Sequence, residues 1–248
     1  MKLSVIIPAH NEEESIESTV RDITRELEKA SIRHEIIVLN DNSTDDTLSI
    51  LKKLAGELAT LKVINRKPPN GFGRAVREGL DSFSGDVVTI VMGDASDDPR
   101  DIVSYFRKIE EGYDCVFGSR FIKGSVVKGY PTHKLIVNRI ANTFVSGLFF
   151  IRYNDTTNAF KAYRREVIES IKPIQAIHFN ITVELPLKAM ARGYSYAIIP
   201  INWYGRTSGI SKLKIREMGR KYLFTVLYVW LEKLLLKDDI RARAGRTK

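Results

Sequence analysis

Three short acidic segments each close an apolar run: VIIPAHNEE at 5–13, IVLNDNSTDDT at 37–47 and VTIVMGDASDDP at 88–99. Each run has the length of a buried parallel strand. Each acidic cluster then falls at a strand's carboxyl end, the edge where open α/β sheets bind ligands. Carboxylates gathered there suit a divalent cation and a phosphate-bearing ligand, because hard oxygen donors hold hard cations that bridge to phosphate. One such cluster would carry little weight, but three before residue 100 point to a nucleotide site. Gly71-Phe72-Gly73-Arg74 resembles the start of a dinucleotide-binding loop. It fails as one, because Val76 stands where the third glycine is needed and KPPN, not a strand, precedes it.

Alternating elements must position these residues. LSVIIP, EIIVLN, LKVIN, DVVTIVM and DCVFGS read as five strands. Helices are expected between them: 12–30 with Ile16, Val20, Ile23 and Leu27 on one face, then one carrying Leu48, Leu51, Ala55 and Leu58. Ala75, Val76, Leu80 and Phe83 mark the third, and Ile102, Phe106 and Ile109 mark a fourth over 99–111. Ser43, Thr44 or Asp45 is placed to cap the second helix. This alternation with short connections means an α/β fold with a doubly covered, mostly parallel sheet. Residues 121–133 read as loop, 134–151, 164–171 and 183–192 as helices, and 194–204 as one or two strands. Neither a repeat nor an inter-domain linker interrupts the chain.

The 248 residues suffice for one domain with an appendage. The division expected is a catalytic domain over 1–212 and a basic amphipathic helix and tail over 213–248. The net charge is +9, and residues 206–248 hold twelve Lys/Arg against four Asp/Glu, so nearly all of the excess lies there. Nucleic acid is not expected as a partner, because that excess accompanies no recognised binding motif. The apolar stretch YLFTVLYVWL at 222–231 is about half the ~20 residues that a membrane span needs, and Glu232 and Lys233 interrupt it. A basic, aromatic-rich helix of this kind suits a bilayer interface. Its other use would be packing on the domain itself or on a partner subunit of a homo-oligomer. The lone Cys115 rules out an intrachain disulfide and fits a reducing cytoplasm. The first apolar stretch is too short for a secretory signal and turns acidic at once.

In order along the chain, VIIPAHNEE, NDNSTDDT, MGDASDDP and GSRF (118–121) resemble the inverting glycosyltransferases of family 2, which have the GT-A fold. DTTNAFKAY (155–163) and GRTSGISKL (205–213) are similar to the polyprenyl-phosphate branch of that family, to which the dolichol-phosphate mannose synthases belong. The resemblance covers residues 3 to about 215 and implies transfer of a sugar from a GDP- or UDP-sugar to a polyprenyl phosphate. The location it implies is the cytoplasmic face of a membrane, held peripherally.

The resemblance also assigns roles. Pro8, Ala9, Asn11 and Glu12 match the segment that wraps base and ribose. Family members usually show two Asp before Gly-Ser; here Asn40-Asp41-Asn42-Ser43 stands there, and Asp41 keeps the base-binding position. Arg74 matches a position near the nucleotide phosphates. The DxD metal motif is incomplete, with Met92 at the first Asp position, Asp94 at the second and Ser96 at a further ligand position. Asp94 and Ser96 are therefore the expected holders of Mg²⁺ or Mn²⁺. Arg120, Lys134, Asn138, Ser211 and Lys212 match acceptor-phosphate positions, and Arg206 matches a cation of the mobile RxxGxSK loop. Asp94, Arg206 and Glu184 are the expected catalytic residues, with Glu184 positioning a sugar hydroxyl. Two rivals stand beside this reading. One is a family 2 enzyme with a soluble sugar or glycan acceptor, which would need a general base, with Glu184 as the candidate. The other is an inactive GT-A-fold membrane-binding module.

Overall fold

The computed structural model describes residues 1–205 and 215–236. Its strands are β1 (Leu3–Ala9), β2 (His34–Asn40), β3 (Leu61–Asn65), β4 (Val87–Ile90), β5 (Cys115–Ser119), β6 (Val126–Lys128), β7 (Lys161–Arg164), β8 (Tyr196–Pro200) and β9 (Asn202–Tyr204). Seven of them form one sheet in the order β3-β2-β1-β4-β7-β5-β8, while β6 and β9 make a small parallel ribbon. Within the sheet, β7 runs antiparallel between β4 and β5, and every other pairing is parallel.

The helices are α1 (Ile16–Lys29), α2 (Thr47–Glu57), α3 (Phe72–Ser82), α4 (Pro99–Glu110), α5 (Thr132–Phe149), α6 (Arg165–Ser170), α7 (Ile181–Ala191) and α8 (Ile215–Leu235). Successive side chains of a strand point to opposite faces, so β1 feeds two cores. Val5 and Ile7 pack with α1, α2 and α4 on one side, and Ile6 packs with α3, α6 and α7 on the other. This double cover explains why every residue of β1 is buried. The expected α/β sheet is therefore observed, with β7 as the departure from it. A four-residue strand with a buried lysine has no periodic signal, and only its pairing with β4 and β5 defines it.

Two further boundaries differ for local reasons. Helix α1 begins at Ile16, not at residue 12. Asn11 adopts φ 52°, and the Ser15 and Ile16 amides turn back onto the Glu12 carbonyl. The stretch 121–133 contains β6, whose partner β9 is distant in sequence. Helix α4 starts as its sequence suggests: Pro99 occupies the first turn and Asp98 accepts the Arg100 N–H at 3.0 Å. Helix α8 packs on α5 and α7, burying Val226 and Val229 against Val145, Phe149, Val183 and Leu187.

At the amino edge of the sheet, Glu35 joins three segments. It accepts bonds from Ser4 Oγ at 2.6 Å, Ser84 N at 2.6 Å and Lys2 Nζ at 3.0 Å. Burial alone would raise its carboxyl, but these donors outweigh burial and pull it from 4.5 down to about 2. A carboxylate depressed in the folded state stabilises above its unfolded value and loses that contribution as pH falls. Glu35→Gln is expected to cost on the order of 2 kcal/mol at pH 7. In urea titrations the gap to wild type should close as pH falls from 4.5 to about 2; a gap constant over that window would refute the assignment.

Candidate active site

The carboxyl ends of β2, β1 and β4 lie side by side, so the three acidic segments share one edge. Pro8 and Ala9 end β1 and are buried, and the Ala9 carbonyl accepts the Asp41 N–H at 2.8 Å. The first two segments clasp each other. The Asn11 side chain donates to Thr44 Oγ1 at 3.2 Å and accepts the Thr44 N–H at 2.8 Å, and Glu12 N donates to Thr47 Oγ1 at 2.9 Å. Asn42, at the usual glycine position, has φ 55°, a conformation that Asn tolerates better than most residues. Asp45 accepts the Thr47 N–H at 3.1 Å and so sits at the start of α2.

Asp41 is nearly buried at this edge. One carboxylate oxygen is bonded to Arg66 Nη1 and the other accepts the Gly71 N–H at 2.7 Å. Arg66 in turn reaches Glu78 at 2.8 Å. The carboxylate thus comes with a guanidinium and an amide already on it. A base would meet this cluster and not an isolated Asp. Arg66 was not among the expected site residues; its signal lay in the strand-end position after LKVIN. Arg74 stands on the first turn of α3, with Nη1 donating to the Asn70 carbonyl at 2.9 Å.

The third segment forms a tight turn after β4. Asp94 Oδ1 accepts the Ser96 N–H at 3.2 Å, and Asp97 Oδ2 accepts the Met92 N–H at 3.1 Å. Ser15 of the α1 entry donates to the Gly93 carbonyl at 2.8 Å, and Tyr204 N donates to the Ser96 carbonyl at 3.0 Å. Asp97 is buried, and burial, with the neighbouring Asp94 charge adding to it, pushes its carboxyl up to about 7. The Asp94 carboxylate, beside the buried Asp97, offers hard oxygens, the donor chemistry that Mg²⁺ or Mn²⁺ prefers. Asp94 is the more accessible of the two. Among the described residues no three of His, Cys, Asp and Glu gather as a metal cage. The donor set fits a cation that takes one or two protein carboxylates and completes its shell with phosphate and water. Ser96 departs from its expected role: it is 2% exposed and lies beneath the turn, so Asp94 is the better-placed ligand.

A cavity of about 330 Å³ opens between α5 and α8. Arg120, Tyr130, Lys134, Asn138 and Thr157 line its polar end, and Val137, Phe144, Val145, Val183, Leu223 and Val226 are among its apolar walls. Three of the expected acceptor residues, Arg120, Lys134 and Asn138, are therefore brought together. Arg120 differs from a lone cation. Its Nε and Nη2 bond the carboxylate of the fully buried Asp155 at 2.8 and 2.7 Å, and the rings of Phe121, Tyr130 and Trp203 surround it at 5.2–5.9 Å. Burial would lower its guanidinium, but the Asp155 charge outweighs this and keeps it protonated. Asn138 donates to Thr157 Oγ1 at 2.6 Å. Asp155 and Thr157 carried no assigned role in the sequence, although both lie in the DTTNAFKAY segment.

Glu184 is corrected outright. It is fully buried, its oxygens accept the Gln175 and Ala176 N–H groups at 2.8 and 2.6 Å, and Lys188 Nζ lies 3.0 Å away. Such a carboxylate fastens a loop to α7 and has no face for a sugar hydroxyl. Arg206, Ser211 and Lys212 lie outside the described residues.

The profile of Glycosyl transferase family 2 matches residues 4–172. The chain is 32% identical over 222 residues to a dolichol-phosphate mannosyltransferase of Pyrococcus furiosus, covering 86% of this chain and 60% of that protein. It is 29% identical over 224 residues to a polyprenol monophosphomannose synthase of Mycolicibacterium smegmatis, covering 86% and 82%. Among solved structures, glucosyl-3-phosphoglycerate synthase from Mycobacterium tuberculosis in complex with Mn²⁺, UDP and phosphoglyceric acid superposes with TM-score 0.68 at 22% identity, covering 92% of this chain and 78% of that one. A mycobacterial protein superposes with TM-score 0.70 at 20% identity, covering 92% and 74%.

Proposed function

The chain belongs to glycosyl transferase family 2, and from that premise we propose that it transfers a sugar from a nucleotide diphosphate sugar to a polyprenyl phosphate at a membrane surface. The observation that carries this reading is the cavity between α5 and α8, polar and cationic at one end and apolar along its walls. A lipid phosphate has that same division. An oxygen of the acceptor phosphate attacks the anomeric carbon as the bond from that carbon to the diphosphate breaks, so the configuration inverts and the nucleoside diphosphate leaves. The nucleophile is already anionic and no general base is required. Asp94 would hold the divalent cation, Mg²⁺ or Mn²⁺, which supplies neutralisation of the departing diphosphate. Arg120, Lys134 and Asn138 bind and orient the acceptor, and Asp41 with Arg66 meets the base. The sealed state of Glu184 weighs against a soluble acceptor, whose hydroxyl would need a base. Screening GDP- and UDP-sugars with dolichyl or undecaprenyl phosphate and following label into the organic phase tests the proposal. Transfer only to a water-soluble acceptor would overturn it.

The membrane part rests on the two helices that form the cavity. Helix α8 turns its polar anchors inward. Tyr222 Oη donates to the Phe179 carbonyl at 3.0 Å, Thr225 accepts from Asn180 at 2.8 Å, and Glu232 pairs with Arg192 at 2.6 Å. Outward it shows Leu223, Phe224, Leu227, Leu231 and Leu234, beside Ile136, Ile140 and Phe144 of α5 and the 94% exposed Phe150. A helix with its apolar side outward needs an apolar surrounding. No described helix is long and apolar enough to cross a membrane. We therefore read the attachment as peripheral and at the cytoplasmic face, a reading supported by the basic C-terminal excess, at ~1 kcal/mol per Lys or Arg near an anionic leaflet. The protein is expected to float with anionic liposomes, and Phe224→Asp with Ile140→Asp to stay in the soluble fraction with nucleotide affinity intact. Wild-type protein that fails to float would instead assign this face to a homo-oligomer contact. Point changes suit this test better than removal of α8, since that would uncover Val145, Phe149 and Val183.

A further inference from the structure

Lys161 is the first residue of β7 and is 1% exposed, a rare state for a lysine. Its Nζ donates to the carbonyls of Thr156 at 3.1 Å, Asn158, and Thr182 at 3.1 Å. Those carbonyls belong to two separate segments, the 155–158 loop and the first turn of α7. Each segment continues into a wall of the cavity. Thr156 N and Oγ1 donate to Asn142 Oδ1 at 2.6 and 2.7 Å, and Asn142 Nδ2 donates to Asn138 Oδ1 at 2.9 Å. Thr157, next in the loop, accepts from Asn138, and Asp155 holds Arg120. On the other side, Thr182 Oγ1 lies 3.4 Å from Tyr222 Oη of α8.

We propose that Lys161 is a positioning residue for the acceptor phosphate, its ammonium tying the 155–158 loop to α7 and so setting the polar end of the cavity. The inference rests on reading that cavity as the acceptor site. A protonated amine has three N–H donors, one for each carbonyl; the neutral amine has two and turns a lone pair on the third. The fastening therefore depends on charge. Burial opposes the charged form, Asp155 and Asp97 favour it, Arg120 opposes it, and the Tyr153 ring lies 5.8 Å from Nζ. The balance brings the group down to about 7. Below that value all three bonds stand; as pH rises through it, one is lost and the acceptor end loosens. The acceptor's own second ionisation, near ~6, strengthens binding as pH rises and has the opposite sign.

The test uses the full chain with farnesyl phosphate in detergent as acceptor, measuring acceptor KM, kcat and nucleoside diphosphate Kd across about pH 6–8. Lys161→Met is expected to raise acceptor KM about tenfold with nucleotide Kd within about twofold. Wild-type KM should rise as pH passes about 7, and Lys161→Arg, charged throughout, should remove that rise. A folded Lys161→Met with wild-type acceptor KM overturns the inference, as does a nucleotide Kd that weakens in step with KM. Should Lys161→Met fail to fold, the wild-type profile decides, and a KM flat or falling with pH overturns it. Wild-type protein that turns over no nucleotide sugar with this acceptor overturns the functional reading, and this inference with it.

Discussion

Replacing Asp94 by asparagine is expected to cut turnover at least about 100-fold, the scale of losing one preorganised electrostatic stabiliser. The side chain keeps its size, and its Oδ1 can still accept the Ser96 N–H, so the turn after β4 should hold its shape. What disappears is the charge that would hold a divalent cation against the leaving diphosphate. Melting temperature should therefore stay within a few degrees of wild type while the dependence of rate on added Mn²⁺ collapses. The buried Asp97 should also ionise more readily, because the Asp94 charge is one of the causes that raise its carboxyl. Turnover and metal dependence that survive the change would move the metal role to Asp97 or Asp98, the other acids of the segment.

Asp155→Asn is expected to cost about 3–5 kcal/mol of folding stability, the usual loss when one member of a buried ion pair is removed. The cause is the stranded partner. Arg120 is 8% exposed and would keep its charge without the carboxylate that now accepts two of its N–H groups. Arg120→Met together with Asp155→Asn should recover part of the loss, since no uncompensated charge then remains. Denaturant titration of wild type, Asp155→Asn, Arg120→Met and the double variant at pH 7 gives the coupling energy directly. A single-variant loss below about 1 kcal/mol, the range of exposed pairs, would show that the pair is solvated and that its aromatic enclosure does not insulate it. The same substitution should weaken acceptor binding more than nucleotide binding, because Asp155 lies under the cavity and away from the β1–β2 edge.

Much of the edge formed by β1, β2 and β4 was legible in the chain because its signals are local. Buried parallel strands are continuous apolar runs, the helices between them keep a spacing of three and four, and Asp98 with Pro99 marks a helix start. Position after a strand then put Asp41 and Asp94 on one edge. The cavity between α5 and α8 was less legible. Glu184 and Arg120 looked alike in sequence, each a charged residue given a role by the resemblance. One proved sealed against Lys188 and two amides, and the other was paired but facing a cavity. Burial is set by elements far apart in the chain, and no window of sequence contains it.

By itself the sequence determined the alternation of strands and helices, the family resemblance and the edge on which the acidic segments gather. The alternation and the edge follow from periodicity and from spacing within a few residues, and the resemblance from the motifs and their order along the chain. Tertiary structure alone decided that β7 runs antiparallel between β4 and β5, and that Arg66 reaches Asp41. It also decided that Lys161 joins two segments of the cavity floor, and that α8 turns polar anchors inward and leucines outward. A hydrogen bond or a buried charge depends on which atoms meet across tens of residues, and that meeting is fixed only when the two cores close around the sheet.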